Sequence, residues 1–139
     1  MLPINMSAVL VAAVANFIIG FMFHGPLFGK LWMRLANIHP TGNEKFSDMI
    51  PQMAKNLLVN IIFAYVLAAV YLFATTSPLI GGSGALNGMM CAFWIWLGFV
   101  VTTSSIEVIW MGRSYKLWLF EAVSALACCL AMGAIIGAW

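Results

Sequence analysis

Four apolar runs dominate this chain, at residues 4–25, 56–77, 85–110 and 117–139, and each supplies the ~20 residues an α-helix needs to cross a hydrocarbon core. The runs are continuous rather than alternating, and in lipid a helix satisfies its own backbone hydrogen bonds segment by segment, so helices are expected rather than strands. The expected fold class is an all-α membrane protein, one domain over residues 1–139, with four transmembrane helices. Composition excludes the alternative of a water-soluble fold. Only 7% of the residues are charged and 64% are hydrophobic, whereas soluble domains carry ~25% charge. The first run could also be read as a cleaved signal peptide. Against that, Met1-Leu2-Pro3 has no basic n-region, and the run ends in His24-Gly25-Pro26 rather than in a small-x-small cleavage site.

The basic residues give an orientation. Lys30, Arg34, Lys45 and Lys55 follow the first run, and Arg113 and Lys116 lie between the third and fourth. All six fall on one side of a four-span protein. The positive-inside rule then makes that side cytoplasmic and places both termini outside. Trp32, Trp110, Tyr115 and Trp118 fall at the expected inner interface, and Tyr71 and Trp139 near the outer one. Lys30, Trp32, Arg34, Trp110, Arg113, Lys116, Trp118 and Trp139 are therefore expected interface anchors, with membrane lipids as partners. A net charge of +2 is too small to imply nucleic acid.

Residues 26–55 form the longest connector. Leu27, Leu31 and Leu35 recur at helical spacing while Lys30 and Arg34 lie on another stripe, which reads as an interfacial amphipathic helix or as a short solvated connector. His39-Pro40-Thr41-Gly42 reads as a turn. Thr41 and Glu44 fit a capping box opening a short helix that Pro51 interrupts or restarts.

Helices associate in lipid through small residues and a few polar contacts. Gly84, Gly88, Cys91, Gly98, Thr102 and Ser105 fall on one stripe of the third run, and Cys129, Gly133 and Gly137 on one stripe of the fourth. The fourth run thus carries Gly-xxx-Gly, which serves equally an intramolecular contact or a dimer. On the first run Asn5, Ala12, Asn16, Gly20 and His24 share a face. Asn16, His24, Asn60, Thr102, Ser105, Glu121 and Ser124 concentrate toward the cytoplasmic half and are the candidate ligand- or ion-binding residues. The alternative is that such side chains only cross-link helices, at ~0.6 kcal/mol apiece.

Two carboxylates stand apart, because a charge inside a bilayer costs ~2.5–3.5 kcal/mol on insertion scales. Glu107 lies on the stripe of Trp96, Val100, Thr103 and Trp110, close enough to the interface to snorkel or to pair with Arg113. Glu121 lies about one turn inside the fourth run and needs Arg113, Lys116 or His24 as a counter-charge. No nucleophile motif, metal cluster or phosphate loop accompanies them, so no catalytic residue, metal or cofactor is expected. Gly81-Gly82-Ser83-Gly84 lacks the lysine of a P-loop and reads as a turn. Trp94 and Trp96 point ~200° apart on a helix and cannot form one aromatic box. Cys91, Cys128 and Cys129 show no metal spacing and read as small buried hydrophobes.

The run Phe23-His24-Gly25-Pro26-Leu27-Phe28-Gly29-Lys30 with Trp32, then Ala64-Tyr65-Val66-Leu67-Ala68, Trp94-Ile95-Trp96-Leu97-Gly98-Phe99 and Gly112-Arg113-Ser114-Tyr115-Lys116-Leu117-Trp118, resembles the bacterial membrane family catalogued as domain of unknown function 1761. The resemblance covers nearly the whole chain. It implies a small four-span inner-membrane protein and brings no activity, cofactor or catalytic residue. It also implies an aromatic where His24 stands and an amide near Glu121, so neither residue is assigned a chemistry common to the family.

The functional expectation is a non-enzymatic membrane protein acting as an oligomeric scaffold, an accessory subunit or a small-ligand binder. A second possibility is an oligomeric transporter or channel with a polar site around Asn16, His24, Asn60 and Glu121, which four spans would build only with a second copy. A third is an enzyme on lipid substrates with His24 as base and Glu121 as its orienter.

Overall fold

The computed structural model describes residues 3–40, 42, 45–78 and 82–139. Among them there is no strand. Helix α1, Met6–Met22, runs on through a π turn, Phe23–Leu27, into the short helix α2, Gly29–Leu35. Helix α3 spans Phe46–Thr75. Helix α4, Ala85–Ile95, continues through a second π segment, Trp96–Val101, into α5, Thr102–Met111, and α6 spans Tyr115–Ala138. Four stretches, Met6–Leu27, Phe46–Thr75, Ala85–Met111 and Tyr115–Ala138, are long and apolar enough to cross a membrane. This is the all-α, four-span membrane fold that the apolar runs demand. Leu10, Val14 and Ile18 of α1 and Leu58, Val59, Ile62 and Val66 of α3 are exposed, as on a bundle whose solvent is hydrocarbon.

The tight core occupies one half of the bundle. Val9, Ala12 and Ala13 of α1 pack with Ala64, Leu67 and Ala68 of α3, Cys91 and Ala92 of α4, and Cys129, Met132 and Ile136 of α6. These positions lie toward the end away from the basic connectors. The closest approach there is between α4 and α6. A methyl group added at Gly88 would meet the Gly133 carbonyl group and lie 3.0 Å from the Cα of Gly137, while one at Gly137 would meet the Gly84 carbonyl. Only glycine admits such a backbone-to-backbone contact. The Gly-xxx-Gly motif of α6 is therefore engaged within the chain. Asn5 caps α1, accepting from the Ser7 and Ala8 N–H groups at 2.9 and 3.3 Å.

Several expectations need correction. Pro51 neither interrupts nor restarts a helix, because it lies inside α3, one turn from its start, where a missing N–H removes a single i→i−4 bond. Helix α3 consequently begins ten residues before the apolar run (46 against 56). The Thr41–Glu44 capping box lies outside the described residues, as does Gly81 of the glycine-rich turn. In the connector, the helix is the seven-residue α2, which excludes Leu27, and Leu27 and Leu31 point outward while Trp32 turns in. Tyr71 is not an interface anchor. It is buried, and its hydroxyl accepts from the Gly84 N–H at 2.8 Å and donates to the Gly84 carbonyl at 3.3 Å, closing the α3–α4 connection.

The second π segment changes which face of the third span looks inward. A π turn takes up one more residue than an α turn, so everything after it is rotated by about 100° relative to a continuous α-helix. Gly88 and Cys91 face the core as expected, but Gly98 and Thr102 face outward, and Trp96, Val100, Ser104 and Val108 take the inner positions. Trp96 Nε1 donates to the Ala122 carbonyl at 2.9 Å and Trp118 Nε1 to Ser104 Oγ at 3.0 Å, tying the rotated segment to α6.

Candidate functional site

The half of the bundle that carries the basic connectors is looser, and it contains a cavity of about 380 Å³ between α1, α3, the second π segment and α6. Helical spacing builds its walls. Asn16 and Gly20 of α1 and His24 of the following π turn recur every four residues, Asn56 and Asn60 are four apart on α3, and Glu121, Ser124 and Cys128 recur on one side of α6. Phe17, Phe21, Phe63 and Val100 supply the apolar surface. Small-ligand sites combine such apolar walls with a few convergent polar groups and range over ~300–1,000 Å³.

The polar groups differ in how well they are paired. Asn16 and Asn60 are each only 9% exposed, and Ser124 only 3%. None of the three side chains has a hydrogen-bond partner among the described residues. Since no side-chain nitrogen or oxygen there is both sealed off and unpaired, their polar atoms open onto the cavity. The backbone of Asn16 is engaged separately, its carbonyl accepting from Cys128 Sγ at 3.7 Å.

Glu121 is held from the far side. Arg113 Nη2 donates to Glu121 Oε1 at 2.9 Å, and Arg113 Nη1 donates to Glu107 Oε2. Backbone geometry puts the arginine there. Gly112 adopts the left-handed conformation, with φ 66°, and ends α5, and the Gly112 and Arg113 N–H groups both turn back to the Glu107 carbonyl. One guanidinium thus bridges two carboxylates.

His24 links the cavity to an aromatic cluster at the basic end. Its Nδ1 donates to the Gly20 carbonyl at 2.9 Å, which leaves Nε2 as the other polar atom of the ring. The ring meets Trp32 edge-on at 5.2 Å between centroids and Phe120 at 5.7 Å. Phe23 and Phe28 complete the cluster, 5.4 Å apart. The π turn and α2 are thereby fastened onto α6.

Of the seven candidates read from the sequence, the structure brings Asn16, His24, Asn60, Glu121 and Ser124 to one cavity. Thr102 and Ser105 are not part of it. The π segment rotates them away, and their hydroxyls donate to the backbone carbonyls of Gly98 and of Thr102 in their own helix. Asn56, Val100 and the three phenylalanines were missed. The Asn56/Asn60 spacing was the signal, but Asn56 coincides with the edge of the apolar run and reads there as a boundary. Among the expected anchors, Arg113 and Trp118 are engaged with protein groups instead, while Trp110, Trp139, Lys30, Arg34 and Lys116 are exposed. Among the described residues, no three of His, Cys, Asp and Glu are grouped so as to hold a metal ion.

A family described as "Protein of unknown function (DUF1761)" matches residues 7–137. None of the curated proteins and none of the solved structures compared with the chain matches it.

Proposed function

The chain belongs to the DUF1761 family, and from that premise we propose that it is a non-enzymatic, multi-pass membrane protein that binds a small polar ligand in the cavity between α1, α3 and α6. The observation that carries this reading is the pair Asn16 and Asn60, both nine-tenths buried, both without a hydrogen-bond partner among the described residues, and both facing the same space. Their polar atoms are not sealed off, so their hydrogen-bonding capacity is left for whatever fills the cavity. Side chains that served only to cross-link helices would bond to one another or to a neighbouring backbone.

The scaffold form of the proposal is weaker, because Gly133 and Gly137 are engaged with α4 and do not remain as a face for a second copy. An oligomer or an attachment to another membrane protein, with the basic connectors on the cytoplasmic side of a bacterial inner membrane, completes the reading through the positive-inside rule.

The test is a thermal-shift screen of small polar solutes against the protein in lipid nanodiscs. At least one class of solute is expected to raise the unfolding temperature of the native chain and to leave an Asn16→Leu/Asn60→Leu variant unmoved. A flat response across the screen, or an equal shift in the variant, overturns the proposal.

A further inference from the structure

The charges around the cavity narrow the chemistry of its ligand. Among the described residues, Glu121 is the only carboxylate in the lining and no Lys or Arg lines the cavity. Arg113 approaches Glu121 from outside, but it is shared with Glu107, and among the described residues no other cation pairs with either acid. Two carboxylates on one guanidinium leave one negative charge without an internal partner. Glu107 is the more exposed of the two acids and can be screened from outside, whereas Glu121 lines the cavity, so the unmatched charge presents itself to whatever occupies that space. Glu121 Oε1 is taken by Arg113, which leaves Oε2.

The remaining surface suits the same counter-ion. The Asn16 and Asn60 amides offer carbonyl oxygens from buried positions, and Phe17, Phe21 and Phe63 offer ring surface of the kind that attracts cations. An anion would meet Glu121 with no opposing lysine or arginine among the described residues of the wall. We infer that the ligand is a small organic cation of the alkylammonium class, seated against Glu121 from the cavity side. The acidic pair does not carry this alone, since the two unpartnered amides face the same volume. The inference rests on the binding reading above and deepens it.

Choline and its uncharged carbon isostere 3,3-dimethylbutan-1-ol, titrated calorimetrically into the whole chain in maltoside micelles, differ in charge and hardly in shape. Choline is expected to bind at least tenfold more tightly. Glu121→Gln should bring the ratio close to one. Glu107→Gln, which leaves the cavity wall intact and frees Arg113 to neutralise Glu121 alone, should lower it several-fold, an effect that a purely steric role for Glu121 would not produce. Equal binding of the two probes overturns the cationic class while the binding reading stands. Failure of choline to bind overturns the class as well, and the wider solute screen then decides the binding reading by itself. An unchanged ratio in both variants removes Glu121 from the site and overturns the inference. The alkylammonium group can arrive as a free solute or on a phospholipid. Displacement of choline by phosphatidylethanolamine and not by phosphatidylglycerol assigns it to a headgroup, and choline binding that neither lipid disturbs assigns it to a solute.

Discussion

Arg113 lies 2.9 Å from Glu121 although the two are eight positions apart in the chain, because Gly112 turns the chain sharply at the end of α5 and aims the guanidinium back at the first turns of α6. The same side chain holds Glu107, so one residue links the ends of two helices at the mouth of the cavity. An exposed ion pair is worth ~0–1 kcal/mol in water, but removing the shared cation at a membrane boundary strands two carboxylates that are costly in hydrocarbon.

Arg113→Gln is therefore expected to destabilise the fold by about 1–3 kcal/mol, a cost set by the two acids left unpaired. Adding Glu107→Gln and Glu121→Gln to that variant should restore most of the loss. Unfolding by denaturing detergent in mixed micelles measures both, and a triple variant as unstable as the single one would show that the arginine acts through packing.

The glycine contact between α4 and α6 yields a second expectation. Gly88→Ala or Gly133→Ala places a methyl group on the opposing backbone, where no flexible side chain can yield. Overpacking of this kind costs about 1–3 kcal/mol. Gly98→Ala, where an added methyl group meets nothing within 4 Å, should be close to neutral. Comparing the three by the same unfolding assay separates a specific contact from a general intolerance of the span.

The rotation introduced by the second π segment is checked by Thr102→Val and Ser105→Ala. Both hydroxyls are satisfied within their own helix, so neither change should alter ligand binding in the assays above. Trp96→Phe should instead cost about 0.5–1.5 kcal/mol of stability through its lost bond to the Ala122 carbonyl. Loss of binding in the threonine or serine variant would mean that the third span runs through as a regular α-helix.

Topology is tested with single cysteines introduced at Lys45 and at Trp139, in a background without Cys91, Cys128 and Cys129. A membrane-impermeant thiol reagent applied to intact cells is expected to label position 139 and to spare position 45, following the positive-inside rule. The reverse pattern would invert the bundle without changing its interior.

How much was legible beforehand varies along the chain. The walls contributed by α1 and α6 were open to reading, because Asn16 and Gly20, and Glu121, Ser124 and Cys128, sit on regular helices where spacing alone places side chains on a face. His24 stays on that face although it lies within the first π turn, one residue after its start. Thr102 and Ser105 followed the same arithmetic and were misplaced, since a local change of winding leaves no periodic trace in an apolar run. Asn56 was lost for a different reason. A helix that continues beyond its apolar stretch is stabilised by backbone bonds that hydropathy does not register.

Solvent and span number were determined by the sequence itself, because the length and continuity of apolar runs are one-dimensional quantities set against a bilayer of fixed thickness. Which polar side chains meet was decided by the tertiary structure alone. That depends on the rotation of each helix about its axis, and the rotation is set by glycine contacts between α4 and α6, by one extra residue in a π turn, and by an arginine shared between two acids. Each of these brings together residues that share no period along the chain.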